Sequence, residues 1–124
     1  MMKKISIVIP TYNEIENISL IIEKLKEIFE NDLKSYLYEL IIIDNYSTDG
    51  TREKIKEICK NEKNIKGILN AKNFGFLNST FYGLTQSTGD ATILMVADFQ
   101  DPPGLVVDFI KEWEKGYKIV IGLK

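Results

Sequence analysis

The chain alternates short apolar runs with longer amphipathic stretches, and this alternation constrains its fold more than any other feature. The apolar runs predict five strands, at 5–9, 38–43, 65–69, 92–96 and 117–121. Between them, apolar side chains recur at helical spacing over about 14–31 and 76–86, in a helix after Gly50 that carries Ile55, Ile58 and Cys59, and in a helix that follows Pro102-Pro103 and stops at Gly116. Strands that are apolar throughout need cover on both faces, which requires parallel pairing with right-handed helical crossovers. We therefore predict an α/β fold: a Rossmann-like parallel sheet with helices on both faces.

The length and composition of the chain exclude several classes of function. Its 124 residues predict one domain, 1–124. The 16 basic and 18 acidic residues leave a net charge of −2, so we expect no nucleic acid partner. The absence of histidine excludes Ser-His-Asp and Cys-His catalysis as well as histidine-bound zinc. Any chemistry must therefore use carboxylates, amides and backbone groups.

The cysteine content and the apolar runs bear on the location of the protein. A single cysteine, Cys59, forms no intramolecular disulfide and suits a reducing compartment, and we expect its thiol to face the core. No apolar run approaches the roughly 20 residues that span a bilayer. The first residues lead directly into a strand-like run, without the pattern of a secretory signal. We expect a cytoplasmic protein.

Polar side chains follow three of the predicted strands. The first is followed by Asn13 and Glu14, the second by Asp44 and Asn45, and the fourth by Asp98, Gln100 and Asp101. In open parallel sheets, ligands bind beyond the carboxyl ends of the strands, near the point where the strand order reverses. Carboxylate and amide oxygens without histidine or cysteine favour a hard cation, Mg²⁺ or Mn²⁺. A substrate diphosphate would complete the shell of such a cation.

Four ordered motifs carry a resemblance to a known family. They read VIPTYNE at 8–14, IDNYSTDGT at 43–51, NFG at 73–75 and ADFQDPP at 97–103. In this order the motifs resemble those of family 2 glycosyltransferases of the GT-A fold. Together with EWEKGYKIVIG at 112–122, the last motif is most similar to the branch that glycosylates polyprenyl phosphates, such as dolichol-phosphate mannose synthases and bactoprenol glucosyltransferases.

The resemblance implies that the chain is the nucleotide-sugar-binding half of a GT-A domain, and it assigns roles to residues. The nucleotide-binding residues it implies are Pro10, Thr11, Tyr12, Glu14, Asp44, Asn45, Asn73, Gly75 and Asp98. Among these, Asp44 and Asn45 are expected to recognise the base. The implied metal ligands for Mg²⁺ or Mn²⁺ are Asp98 and Gln100.

The chain departs from the family pattern at two positions. Where the family usually has two aspartates, this chain has Asp44 and Asn45; an amide oxygen still accepts the imide N–H of uracil, without charge. We accordingly favour a UDP-sugar as the donor. The family's Asp-x-Asp is here Val96-Ala97-Asp98, which lacks the first carboxylate and is expected to weaken metal binding.

The resemblance also implies that further residues complete the enzyme. The similar enzymes contain roughly one hundred more residues in the catalytic domain, which form the acceptor side and usually supply the catalytic base. We therefore interpret residues 1–124 as the N-terminal part, incomplete for transfer, with the base and any membrane attachment in a region beyond Lys124. The acceptor would be a polyprenyl phosphate or a saccharide, and the full-length protein would act at the inner face of the cell membrane. The sequence leaves a homo-oligomer open.

Several of these residues have a structural alternative. We expect Asp49 to cap a helix rather than to take part in chemistry. For Asp101, capping the following helix and supporting the metal are equally compatible with the sequence. The segment 73–75 predicts either a close backbone approach to the diphosphate or a plain strand-to-helix turn. The aromatic residues Phe74, Phe76, Phe81 and Tyr82 are expected to cover the sheet, with contact to sugar or acceptor as the alternative.

Two other functions compete with sugar transfer. One is a non-catalytic nucleotide-binding or signalling α/β domain, but a receiver-like module would have paired acidic residues directly after its first strand, where this chain has PTYN at 10–13. The other is a degenerate transferase that binds nucleotide without turnover, which Val96 and Asn45 suggest.

Overall fold

The computed structural model describes residues 2–100 and 102–123. Within these ranges the strands are β1 (Lys4–Thr11), β2 (Leu37–Asp44), β3 (Ile65–Leu69) and β4 (Ala91–Leu94). The helices there are α1 (Ile18–Asn31), α2 (Thr51–Lys60), α3 (Phe76–Thr85) and α4 (Leu105–Glu114).

The strands form one parallel sheet in the order β3-β2-β1-β4, and the parallel pairing confirms that part of the prediction. β1 and β2 pair along their whole length, from Lys4 opposite Leu37 to Thr11 opposite Asp44. The chain moves outward from β1 to β3 and then crosses back to add β4 on the other side of β1. The strand order therefore reverses between β1 and β4, which is where ligands bind in sheets of this kind.

Helices cover both faces of the sheet, as predicted. One face carries the larger apolar cluster, in which Ile7 and Ile42 of the central strands pack with side chains of α1, α2 and α4. The other face carries a smaller cluster around Val8 and Ile41, against which Leu84 of α3 packs. Because both faces are covered, β1 and β2 are buried almost throughout, and this explains their continuous apolar sequence.

The elements differ from the predicted boundaries near prolines and turns. β1 continues through Pro10 instead of ending before it. The carbonyl of Val8 accepts the Met95 N–H, so it points toward the side of β1 on which β4 lies. The nitrogen of Pro10, two residues further along β1, points to the same side. Because β4 has already ended there, no N–H donor is required at Pro10. α1 begins at Ile18 rather than near Glu14, because a turn closed by the Glu14 carbonyl precedes it. β4 likewise ends at Leu94, two residues before the predicted end.

The prediction of a fifth strand at 117–121 is wrong. This segment joins no strand ladder among the described residues, and Ile119 and Ile121 are 79% and 75% exposed. It borders a groove of about 680 Å³ between β4 and α4. The alternating apolar pattern is typical of a strand, but a strand also needs the backbone of a neighbour, and here the segment pairs with none. Gly116, with a φ of +105°, follows the end of α4 as expected.

α3 is oriented opposite to the prediction. Its small residues Ser79, Thr80 and Gly83 face the sheet, and a Cβ at Gly83 would lie only 2.8 Å from Val8 Cγ1. The aromatic residues that we expected to cover the sheet are instead exposed: Phe74, Phe76, Phe81 and Tyr82. Helical propensity and apolar content do not distinguish these two orientations. Close packing of the helix on the sheet selects the face with the small side chains.

The position of Cys59 agrees with the prediction. The thiol is partly buried against the larger apolar cluster, as expected, and burial raises its pKa. No helix in the described part of the chain is both long and apolar enough to cross a membrane.

Glu39 is a buried acid on β2 that the sequence analysis did not single out. Only 1% exposed, it lies on the α3 face, near the amino ends of the strands. Burial alone would raise its pKa, but hydrogen bonds from Ser6, Thr88 and Lys66 lower the pKa to about 2. The Lys4 ammonium lies 3.5 Å from the same carboxylate. Glu39 therefore ties β1, β2, β3 and the turn before β4 together as an ionised group.

We expect Glu39→Gln to reduce the acid sensitivity of the fold. Because the pKa of Glu39 falls from 4.5 to about 2 on folding, the ionised group stabilises the protein above pH 4.5, and this contribution is lost as the pH falls toward 2. The lost contribution is about 3 kcal/mol in the free energy of unfolding. Urea unfolding at pH 7, 5, 3 and 2 should give a flatter pH profile for the variant than for the wild type.

Glu16→Gln serves as the control, because Glu16 is exposed. Its unfolding profile should follow that of the wild type. Parallel profiles for Glu39→Gln and the wild type would contradict the assignment.

Candidate functional site

The carboxyl ends of β1, β2 and β4 surround one open cavity of about 290 Å³. Its lining residues are Pro10, Thr11, Tyr12, Glu14, Asn45, Asn73, Phe76, Ser79, Val96, Ala97 and Asp98. The structure thus brings together all the predicted nucleotide-binding residues except Asp44 and Gly75. Phe76 and Ser79 come from the first turn of α3; Ser79 was not predicted, because the sequence did not reveal which face of α3 meets the sheet.

Asp44, the last residue of β2, does not line the cavity and is completely buried. Its Oδ1 accepts the Thr11 hydroxyl at 2.8 Å, and its Oδ2 accepts the backbone N–H of Ser47 at 2.8 Å. The guanidinium of Arg52, in the first turn of α2, lies 3.3 Å from Oδ2. Arg52 also stacks on the Tyr46 ring and was missed by the sequence analysis. The carboxylate of Asp44 therefore faces the protein, and Asn45 is the residue of this pair that reaches the cavity.

Asn45 holds the loop that leads into α3. Its Oδ1 accepts the Phe74 N–H at 2.9 Å and the Asn70 amide at 3.3 Å. Its own amide donates to Asn73 Oδ1 at 2.8 Å, and the same oxygen accepts the Gly75 N–H at 2.8 Å. The side-chain amide of Asn45 thus uses both its donor and its acceptor to position one wall of the cavity.

Gly75 belongs to the turn that begins α3. Its φ of +86° lies in the region that favours glycine, and it occupies the N-cap position of the helix. The structure therefore shows a strand-to-helix turn at 73–75. Asn73 lines the cavity next to this turn, whereas Gly75 does not. A backbone approach of this segment to a diphosphate stays a prediction.

The loop after β1 is held against the start of α2. Asn13 has a φ of +54° and donates its N–H to the Ser47 hydroxyl at 2.8 Å. Asp49 accepts the N–H of Thr51, the first residue of α2, at 3.0 Å and that of Ile15 at 3.2 Å. Burial opposes ionisation of Asp49, but the hydrogen bonds from Thr51 and Ile15 lower its pKa. The N-cap residue of α2 is Gly50 rather than the expected Asp49, and Asp49 binds the first N–H of the helix from the position before the cap.

Asp98 presents an exposed carboxylate to the cavity just after β4. Its Oδ1 accepts the Gln100 N–H at 3.1 Å, which orients the carboxylate in a turn where Phe99 has a φ of +62°. Gln100 is exposed and does not line the cavity, and Asp101 lies outside the described residues. Within the described ranges, no three acidic, cysteine or histidine side chains form a metal-binding group. Among the described residues, Asp98 and Glu14 are thus the carboxylates that line the cavity.

We expect Asn45→Asp to destabilise the cavity wall. The carboxylate of the variant can still accept the Phe74 N–H, but its second oxygen faces Asn73 Oδ1 where the Asn45 amide donated a hydrogen bond. Turning the Asn73 amide over would not relieve this contact without cost, because Asn73 Oδ1 would then lose its hydrogen bond from the Gly75 N–H. The cost is about 1–3 kcal/mol in the free energy of unfolding. Chemical denaturation measures it, and amide hydrogen exchange should localise the loss of protection to residues 70–76.

Asn64→Asp is a control at an asparagine outside the site. Its stability should change by less than about 0.5 kcal/mol. An Asn45→Asp variant as stable as the wild type would show that the amide donor to Asn73 contributes nothing.

Curated relatives are similar to nearly the whole chain. CsbB of Bacillus subtilis, whose name assigns it to the glycosyltransferases, is 41% identical over 94% of this chain and 35% of its own length. A dolichol-phosphate mannosyltransferase of Pyrococcus furiosus is 34% identical over 96% of this chain and 32% of its own length. A prophage bactoprenol glucosyl transferase homolog of Escherichia coli is 35% identical over 95% of this chain and 38% of its own length. The chain therefore spans about a third of the length of these relatives.

Solved structures share the fold. A mannosyltransferase from Pyrobaculum calidifontis, in complex with GDP-Man and Mn²⁺, superposes with a TM-score of 0.66 and 22% identity, over 90% of this chain and 32% of that chain. Staphylococcus aureus TarS in complex with UDP-GlcNAc gives a TM-score of 0.65 and 25% identity, over 88% of this chain and 31% of that chain.

The sequence profile of glycosyl transferase family 2 matches residues 6–123, which include the carboxyl ends of β1, β2 and β4 that form the cavity. The four motifs, the strand order and the position of the cavity agree with that match. The chain therefore belongs to glycosyl transferase family 2, and its Rossmann-like sheet is that of the GT-A glycosyltransferases.

Proposed function

We propose that the protein is a glycosyltransferase that moves a hexose from a nucleotide-diphospho sugar to a polyprenyl phosphate, and that residues 1–124 form its nucleotide-sugar-binding part. The cavity at the ends of β1, β2 and β4 carries this proposal, because it combines aromatic, amide and carboxylate side chains where the strand order reverses. The names of the relatives support a lipid-phosphate acceptor.

The nucleoside would bind at the β1 side of the cavity. The Tyr12 ring is half exposed at the cavity rim, where it can stack on a base. Asn45 Oδ1 already accepts hydrogen bonds from the Phe74 N–H and from the Asn70 amide. The imide N–H of uracil would take the place of the Asn70 amide, whose bond to Oδ1 is the longer of the two at 3.3 Å. This exchange costs little, because Asn70 also donates to the Ser79 hydroxyl at 3.0 Å. We therefore favour a uridine donor.

The donor set fits Mg²⁺ or Mn²⁺ bound mainly through Asp98. An exposed carboxylate beside a cavity suits a cation that takes one or two protein oxygens and fills its shell with phosphate and water. When bound, the cation would act as a Lewis acid for the leaving diphosphate. Asp98 holds it, while Gln100 orients Asp98 through its backbone N–H. Val96, at the position of the family's first aspartate, lines the cavity without adding a ligand.

Transfer to a phosphate acceptor is compatible with a chain that contains no histidine. An ionised phosphate oxygen is already a nucleophile, so transfer to a polyprenyl phosphate needs little help from a general base. The cavity contains one other carboxylate, Glu14, on the β1 side. We assign no catalytic base within residues 1–124 and place the acceptor contacts in the further length that the relatives possess.

We expect Asp98→Asn to abolish Mn²⁺-dependent binding of UDP and to leave the fold intact. The substitution removes the charge that holds the cation but keeps the size of an exposed side chain, so the melting temperature should barely change. Isothermal titration calorimetry with UDP, with and without Mn²⁺, measures the effect.

The same calorimetry tests the base pocket. Tyr12→Ala should weaken UDP binding more than Asp49→Ala, and GDP or ADP should bind more weakly than UDP.

Asp108→Asn is the matched control, because Asp108 is an exposed carboxylate on α4 outside the cavity. Unchanged Mn²⁺-dependent binding in Asp98→Asn would refute the metal assignment. A preference for a purine nucleotide would refute the assignment of the base.

We expect residues 1–124 to bind the donor but to transfer no sugar. Holding the acceptor in line with the anomeric carbon can account for roughly 7–11 kcal/mol of a barrier, and we assign none of the described elements to that task. The measurement is incubation with radiolabelled UDP-glucose, Mn²⁺ and undecaprenyl phosphate, followed by extraction of lipid. Slow hydrolysis of the donor is compatible with the proposal, whereas lipid-linked product at the rate of a full-length relative would contradict it.

A further inference from the structure

The outer face of α3 is solvent-exposed and carries large apolar side chains. We define this face by the exposed side chains of Phe74, Leu77, Phe81 and Tyr82, between which the exposed polar residues Asn78 and Thr85 also lie. Leu77 is 80% exposed and Phe81 68% exposed, so neither contributes appreciably to the core. Large exposed apolar patches on a folded domain mark contact with a partner or a membrane. Because the small side chains of α3 already pack on the sheet, packing within the described residues does not account for the large ones.

The charges around the outer face of α3 are few. Residues 73–89 contain no charged side chain. At the cavity end of this stretch, the ammonium of Lys72 lies 5.1 Å from the centre of the Phe74 ring. At the far end, the Asp90 carboxylate accepts the Lys4 N–H at 2.8 Å, so it is turned toward the sheet. The face therefore combines aromatic rings, a leucine and one cation at its edge.

The outer face of α3 is continuous with the cavity. Phe76, at the start of α3, lines the cavity from the same side of the helix as Ser79, whereas Phe74 of the outer face directly follows the cavity residue Asn73. Phe74 precedes the helix and is fixed by its N–H bond to Asn45. Whatever covers the outer face thus lies directly beside the mouth of the cavity.

From these observations we propose that the outer face of α3 docks on a lipid bilayer and brings the cavity to the membrane surface. Phenylalanine, tyrosine and lysine at an interface suit the boundary between head groups and acyl chains. A second copy of the chain suits the face less well, because ten helical residues are about 15 Å long. Stable dimers bury about 800 Å² per partner and use some 20–30 residues. The inference rests on the proposed function, since a polyprenyl phosphate acceptor stays in the bilayer.

Vesicle binding tests the inference directly. The purified protein is sedimented with sucrose-loaded vesicles of phosphatidylcholine containing one quarter phosphatidylglycerol. We expect the wild type to bind and Leu77→Ser/Phe81→Ser to lower the partition coefficient at least tenfold, as expected for two large apolar side chains. Lys72→Gln should lower it about fivefold on these vesicles and leave binding to pure phosphatidylcholine unchanged.

The matched control is Ile119→Ser/Ile121→Ser, which removes two similarly exposed apolar side chains away from α3. We expect it to bind vesicles within twofold of the wild type. Loss of binding in this variant, with Leu77→Ser/Phe81→Ser unaffected, would overturn the proposal. So would a wild-type dimer, detected by analytical ultracentrifugation, that the α3 substitutions dissociate while vesicle binding is absent.

Calorimetry with UDP and Mn²⁺ separates this inference from the proposed function. Neither Leu77 nor Phe81 lines the cavity, so the double variant should bind UDP like the wild type. UDP binding without vesicle binding in the wild type overturns only the docking of α3. Vesicle binding that depends on α3, without UDP binding, overturns only the donor site.

Discussion

The hydrogen bonds and the ion pair of the buried Asp44 carboxylate are the interactions on which the carboxyl edge of the sheet depends. The oxygens of Asp44 accept hydrogen bonds from Thr11 at the end of β1 and from Ser47 in the following turn, and they pair with Arg52 of α2. An ionised group with no exposed surface must be fully paired, since a lost partner at such a site typically costs 3–5 kcal/mol. Asp44 thus fixes the strand ends, the turn and α2 in one arrangement, and it places Asn45 toward the cavity.

The acidic residues of the chain divide into two groups with different physical roles. Asp44, Asp49 and Glu39 accept several hydrogen bonds from the protein and hold elements together. Glu14 and Asp98 line the cavity, where solvent and ligands reach them. All five stand near strand or helix ends or within an apolar strand, so residue type and position alone do not separate them. The division follows from burial and from the number of nearby donors.

The parts of the fold that follow from local pattern could be predicted. The apolar runs of β1 and β2 and the amphipathic pattern of α1 predict a parallel sheet with helical cover, because burial on two faces leaves a direct mark on the sequence. The cavity residues followed from the rule that ligands bind at strand ends and from the family motifs. The segment around Ile119 and Ile121 was misjudged because strand formation depends on a distant partner, which the local sequence does not encode.

The orientation of α3 shows why helix faces are harder to predict than helices. Large apolar side chains contribute the most burial, and for that reason we expected Phe76, Phe81 and Tyr82 to cover the sheet. The sheet instead admits α3 at a distance where Gly83 nearly touches Val8, and a large residue there would overlap Val8 and Ile43. The small residues therefore determine the orientation, and the large apolar ones face outward beside the cavity. The large apolar side chains of α3, which a sequence reader would place in the core, are thus available to contact something outside this domain.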